Sequence, residues 1–105
     1  MSEHQAKYQV GEVVHHRLFD YLGVVYDVDP VFGGTDDWYE QVARSRPPKD
    51  QPWYHVLVDQ AEHTTYVAEQ NLQSAVDPGP IQHRLAQHFF QSFDGKRYTL
   101  RSRMN

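Results

Sequence analysis

Apolar residues recur with a period of two along LGVVYDV (22–28), the clearest strand signal in the chain. Strict alternation places Leu22, Val24, Tyr26 and Val28 on one face and Gly23, Val25, Asp27 and Asp29 on the other. Pro30 ends the run because it has no N–H to give to a ladder. An earlier strand is expected over YQVGEVV (8–14), where Gly11 suits a bulge or a sharp barrel corner. HHRLFDY (15–21) is either its continuation or the connection that follows. WYHVLVD (53–59) reads as a third strand, with Tyr54, Val56 and Val58 on one face and Trp53, His55 and Leu57 on the other. Both faces are fairly apolar, so this strand is central, or it is covered by the C-terminal segment or a second subunit. After a turn at 60–63, TTYVA (64–68) forms a fourth strand, and EQNL (69–72) a single-turn stop with Leu72 folded back as a plug.

Helical signals occur twice. In the long insertion 31–50, Asp37 as N-cap with Glu40 three residues on makes a capping box. Asp36 and Asp37 at its start, with Arg44 and Arg46 at its end, complement the helix dipole, and Pro47 and Pro48 stop a helix over 37–45. After the linker VDPGP (76–80), Ile81, Leu85 and Phe89 at i, i+4 and i+8 predict an amphipathic helix over 81–93, broken by Asp94-Gly95. The final stretch alternates, with Tyr98, Leu100 and Met104 on one parity and Arg97, Arg101 and Arg103 on the other, as in an edge strand or an extended arm. The expected fold is mainly β: a small SH3-like β-barrel with a short inserted helix, then a C-terminal helix plus an extended basic arm. The barrel spans 1–75 with its variable insertion at 31–50, and the helix and arm span 76–105.

Length changes little here: 105 residues make one domain with a modest core, which a 13% aromatic share helps to fill. Charge is more informative. Residues 1–80 carry 13 acidic against 5 basic side chains, a balance of −8, while residues 81–105 carry 5 basic side chains against Asp94 alone, a balance of +4. An acidic body repels phosphate at long range, so nucleic-acid contact has to come from the tail or a locally basic face. Lys96, Arg97, Tyr98, Arg101 and Arg103 mix cations with an aromatic, which suits phosphate contact, stacking, or docking on an acidic protein surface. The opposing reading packs the arm onto its own barrel through Tyr98 and Leu100. Absence of cysteine excludes disulfides and thiolate sites. The polar start MSEHQAKYQV is no signal peptide, and no apolar run approaches the roughly 18 residues of a membrane span, so a cytoplasmic location is expected.

Catalytic chemistry finds little support. Asp27 and Asp29 can bind a hard cation or divide acid and base roles, but a lone DxD fits a solvated strand face beside a turn equally well. Seven histidines show no HExxH or HxH spacing, and His15 and His16 on a strand point to opposite faces. His55, beside Trp53 and Tyr54, reads as a partly buried histidine bonded to a backbone carbonyl. No nucleophile motif and no phosphate-cradling glycine motif is present. No enzyme activity, no metal and no cofactor are expected.

The longest pattern is Gly11, Val14 and His16, followed by Tyr21, Gly23, Val24, Val25, Asp27, Asp29 and Pro30, then Pro52, Trp53, Tyr54, His55 and Val56, and finally Tyr66, Glu69 and Leu72. Over residues 8–73 this arrangement resembles the heat-shock protein HspQ family, whose domain is also called YccV-like or hemimethylated-DNA-binding. The resemblance implies an SH3-like barrel, a cytosolic bacterial stress protein and a homo-oligomer, with a trimer as its suggested size. It implies two activities: interaction with the ATP-dependent protease Lon as a modulator of substrate degradation, and binding to hemimethylated origin DNA. The matched region holds only Arg17, Arg44, Arg46 and Lys49 as cations, three of them in the insertion, which favours the protease modulator and leaves DNA binding as the alternative. The residues expected to meet a partner are Trp53, His55, Asp27, Asp29 and the basic arm.

Overall fold

The computed structural model describes residues 5–43 and 45–101. Strands β1 (Val13–His16), β2 (Leu22–Asp29), β3 (Trp53–Val58), β4 (Thr64–Ala68) and β5 (Leu72–Ser74) form one antiparallel sheet in the order β4-β3-β2-β1-β5. A 3₁₀ turn at Glu69–Asn71 leads directly from β4 into β5. Helix α1 (Asp36–Val42) lies in the insertion. A single helical turn, α2 (Ala86–Phe89), precedes the two-stranded hairpin of β6 (Phe90–Phe93) and β7 (Tyr98–Leu100). The fold is mainly β, and the ladder of the large sheet runs open from β4 to β5.

One face of the sheet encloses Tyr8, Val14, Val25, Tyr54, Val56, Val67 and Leu72. Val67 and Leu72 come from the two edge strands, so the sheet curls until both edges reach the same core. The Tyr54 hydroxyl closes one end of this core: it donates to Glu69 Oε2 (2.5 Å) and accepts the Tyr8 N–H (3.2 Å). Tyr8 donates in turn to the Leu72 carbonyl (3.0 Å), holding Leu72 inward as the expected plug.

The other face is covered by two separate segments. Over one end, Phe32, Trp38, Tyr39 and Ala43 from the insertion pack on Trp53, Tyr66 and Ala68. Over the other, Ile81, Leu85, Phe89, Phe90 and Tyr98 pack on Val13, Val24 and Leu57. The apolar outer parity of β3 is therefore satisfied within the chain, and it calls for no second subunit.

Four local expectations change. First, β1 begins at Val13 and runs to His16, because Gly11 (φ +96°) turns the chain away from the ladder beforehand. Second, α1 is capped by Thr35, whose hydroxyl accepts the Trp38 N–H (3.1 Å); Asp36 and Asp37 occupy the first turn instead. Arg46 lies beyond this helix, and Arg44 lies outside the described residues. Third, β2 carries a bulge. Val25 pairs with Val56, and Asp27 pairs with His55, so Tyr26 is the extra residue. The bulge resets the alternation: Val25 and Val28 face the enclosed core, while Leu22, Val24 and Tyr26 pack under the C-terminal cover. Asp27 and Asp29 then stand opposite His55 and Trp53, on the outer face.

Fourth, the helix expected over 81–93 is one turn long. Its apolar stripe is real, since Ile81, Leu85 and Phe89 all join the outer cluster. Backbone pairing decides otherwise around it. Gln60 donates to the Gln82 carbonyl (2.7 Å) and Gln82 donates to Asp59 Oδ1 (2.8 Å), which holds residues 81–82 against the β3–β4 turn. On the far side FQSF alternates toward Asp94-Gly95, a hairpin signal that competes with a helix period and wins. Gly95 takes φ +102°, and the Asp94 carboxylate accepts the Lys96 and Arg97 N–H groups (2.8 and 2.9 Å). These bonds, the one from Arg97 foremost, hold the Asp94 carboxyl below its usual pKa.

Candidate functional site

Between the two covers a strip of the outer sheet face stays open. It begins at Phe89, stacked on Tyr26 (4.8 Å between ring centroids), and continues through His55 (5.8 Å from Tyr26) to Tyr66 (4.5 Å from His55) and Trp38 (5.7 Å from Tyr66). Strand pairing explains the order, since Asp27 opposes His55 on β3 and His55 opposes Tyr66 on β4. Polar groups converge at its centre. Asp29 Oδ2 accepts the Tyr66 hydroxyl (2.5 Å) and contacts His55 Nε2 (3.2 Å), and the Tyr66 oxygen accepts the Gly33 N–H (2.8 Å). Burial pushes the Tyr66 phenol above its usual pKa, and the Asp29 carboxylate adds to the shift, so Tyr66 remains a donor at neutral pH.

Asp27, Asp29 and His55 bring one ligand atom each within 4.8 Å of one another. This is a donor set a divalent cation could use, although Asp29 Oδ2 already serves Tyr66 and His55. Reading Asp27-x-Asp29 and the histidines separately misses the set, because only the β2–β3 register joins them. His55 bonds a carboxylate where a backbone carbonyl was expected. Trp53, expected at a partner surface, is 2% exposed and forms the floor beneath Phe32, Trp38 and Tyr66. Next to it a cavity of about 310 Å³ is lined by Asp29, Gly33, Gly34, Thr35, Trp38, His55 and Tyr66.

Trp38 and Tyr66 also border a larger apolar groove of about 520 Å³ that reaches Val42, Thr65, His16, Leu18 and Phe19. Leu18 and Phe19 sit in the β1–β2 turn, 59% and 74% exposed. His16 presents them: its buried Nδ1 accepts both the Leu18 and Phe19 N–H groups (3.1 and 3.0 Å), and its ring stacks on Phe19 (4.6 Å). Burial, with a contribution from His15, lowers the His16 pKa, which keeps this acceptor neutral. No chemical motif marks these two side chains; the available signal was two large apolar residues inside a turn.

The basic arm is built into the fold. Tyr98 packs on Phe90 and Phe93 (5.1 and 4.6 Å), its N–H donates to the Gly11 carbonyl (2.7 Å), and its hydroxyl accepts the Ile81 N–H (2.7 Å). Arg97 reaches Gln9 Oε1 (3.3 Å) and lies 3.9 Å from Glu12, and Arg101 donates through Nε to the Gln87 carbonyl (2.6 Å). Lys96 is exposed at the hairpin tip. Arg103 lies outside the described residues. The arm's cations, the aromatic strip and the apolar turn thus sit on different elements of one small β domain.

These features define a small, mainly β domain with several accessible surfaces. The YccV-like family, described as hemimethylated DNA-binding protein YccV like, matches residues 6–97, and the chain belongs to this family. Of the residues that carry the resemblance, Tyr54, Glu69 and Leu72 seal the core, whereas Asp29, His55 and Tyr66 form the bonded centre of the open strip.

Proposed function

We propose that this chain is a non-enzymatic DNA-binding protein that prefers hemimethylated duplex. The family match over residues 6–97 carries this reading. It reverses the order of the two activities suggested by the charge map alone. Local features support it. Arg17 and the exposed Phe19 and Leu18 lie on one turn, pairing a phosphate-seeking cation with apolar groups able to touch a base methyl in the major groove. Lys96 and Arg97 on the β6–β7 hairpin add phosphate contacts. Arg46 is held by an exposed ion pair to Glu40 (2.7 Å), which phosphates can displace at little cost.

The test is titration of the protein into unmethylated, hemimethylated and fully methylated duplexes of one sequence at about 150 mM salt. The hemimethylated duplex is expected to bind tightest. Phe19→Ala is expected to reduce the preference among duplexes, and Arg17→Glu to weaken all three together.

A second reading, a modulator of the ATP-dependent protease Lon, is favoured by one observation: the groove of about 520 Å³ beside Phe19 is lined largely by apolar side chains, as a protein-docking surface would be. Purified Lon degrading an unfolded substrate, with and without a concentration series of this protein, tests it through saturable stimulation or inhibition. The same resemblance supplies the remaining parts of the proposal: closure of the curled sheet as an SH3-like barrel, a cytosolic location, a role in heat shock and a homo-oligomer.

A further inference from the structure

We propose that the cavity between the insertion and β4 binds a cationic side chain, a lysine or arginine presented by a partner protein. This inference does not depend on the DNA reading, although the cavity shares Trp38 and Tyr66 with the groove that reaches Leu18 and Phe19. Four observations carry it. The cavity has aromatic walls on two elements: Trp38 of α1 and Tyr66 of β4, with interplanar angle 67°, both about 5.9 Å from the Phe32 ring behind them. A cation seated against the face of such a ring is attracted by its quadrupole. The Asp29 carboxylate lines the same space; its Oδ2 holds Tyr66 and His55, and its negative charge lies beside the rings to attract a cation.

The approach is also kept clear. A Cβ at Gly33 would fall 2.8 Å from Asp29 Oδ2, and one at Gly34 would fall 2.7 Å from the Phe32 ring, so side chains at either position would crowd the mouth. Charge then selects the occupant. Asp36 and Asp37 lie in sequence between the lining residues Thr35 and Trp38, Asp27 brings a carboxylate oxygen within 4.8 Å of Asp29 and His55, and Lys49 offsets only Asp36 by a direct pair. A phosphodiester is repelled from such a field and an ammonium or guanidinium is drawn into it. An uncharged apolar side chain would gain contact with the rings but nothing from the carboxylate.

The experiment uses the full chain and three blocked tripeptides, Gly-Lys-Gly, Gly-Arg-Gly and Gly-norleucine-Gly, followed by NMR of the Trp38 indole and Tyr66 ring signals. Both cationic peptides are expected to shift these signals saturably, with the norleucine peptide at least about fivefold weaker, as one cation–π contact and one charged hydrogen bond imply. Asp29→Asn retains an acceptor for Tyr66 and is expected to lose about fivefold for the cations while the spectrum stays folded. Trp38→Ala should abolish the response. Equal shifts from norleucine, no shift from any peptide, or an unchanged affinity in a folded Asp29→Asn variant would each overturn the proposal. So would displacement of the cationic peptides by hemimethylated duplex at the same signals, which would place the cavity in a nucleic-acid interface instead.

Discussion

His16 accepts two backbone N–H groups through one ring nitrogen, and protonation of that nitrogen removes both bonds at once. Its folded pKa lies below the ordinary value of 6.5, so the unfolded chain takes up the proton first. The stability it contributes is therefore complete above about pH 6.5 and is lost as pH falls through the lower folded pKa. Urea midpoints should fall between pH 7.5 and pH 5, and His16→Asn, which keeps an acceptor without a titration, should flatten that slope. An unchanged slope in the variant would mean that His16 does not set it. Tyr66 makes a second test at this scale. Removing its hydroxyl leaves the Gly33 N–H without its acceptor and takes one donor from Asp29. Tyr66→Phe is expected to cost about 1–2 kcal/mol in denaturant unfolding. Such residue pairings were hidden in the sequence. Asp29, His55 and Tyr66 lie 26 and 37 positions apart as bonded pairs, and only a register that includes the bulge brings them together.

Elements were more legible than contacts. The core strands announce themselves through β-branched and aromatic runs, and β2, β3 and β4 lie close to where alternation places them. The C-terminal segment did not, because Ile81, Leu85 and Phe89 satisfy a helical spacing while FQSF and Asp94-Gly95 satisfy a hairpin, and tertiary pairing chose between them. The bulge at Tyr26 is equally silent, since nothing in LGVVYDV marks which residue is extra. Two glycines separate the consequences. Gly11 has φ +96° and a Cβ there would lie 2.2 Å from the Tyr98 carbonyl oxygen, whereas Gly95 has φ +102° and open space around it. Gly95→Ala should cost about 1–2 kcal/mol, the left-handed penalty alone. Gly11→Ala should cost more and speed hydrogen exchange at the Tyr98 amide, because the hairpin must lift from the sheet. Equal costs for the two would contradict the docking described.

Across the whole molecule, the acidic body and basic tail are less separate than the sequence suggests. The tail's Tyr98 is packed into the outer cluster, so deleting residues 94–105 would expose Ile81 and Phe90 as well as removing charge. Charge reversal is the cleaner probe: Lys96→Glu with Arg97→Glu should lower the slope of log affinity against log salt by about 2 for any duplex, leaving the ratio among duplexes unchanged. An unchanged slope would take the hairpin out of the DNA surface. Among the described residues no helix is long and apolar enough to cross a membrane. The most direct test of the DNA-binding account is fluorescence anisotropy on three duplexes that differ only in methylation, at about 150 mM salt and again at higher salt. The account predicts that the hemimethylated duplex binds at least about tenfold tighter than either of the others, and that this ratio persists as salt rises. Equal, weak binding to all three that vanishes with salt would contradict it.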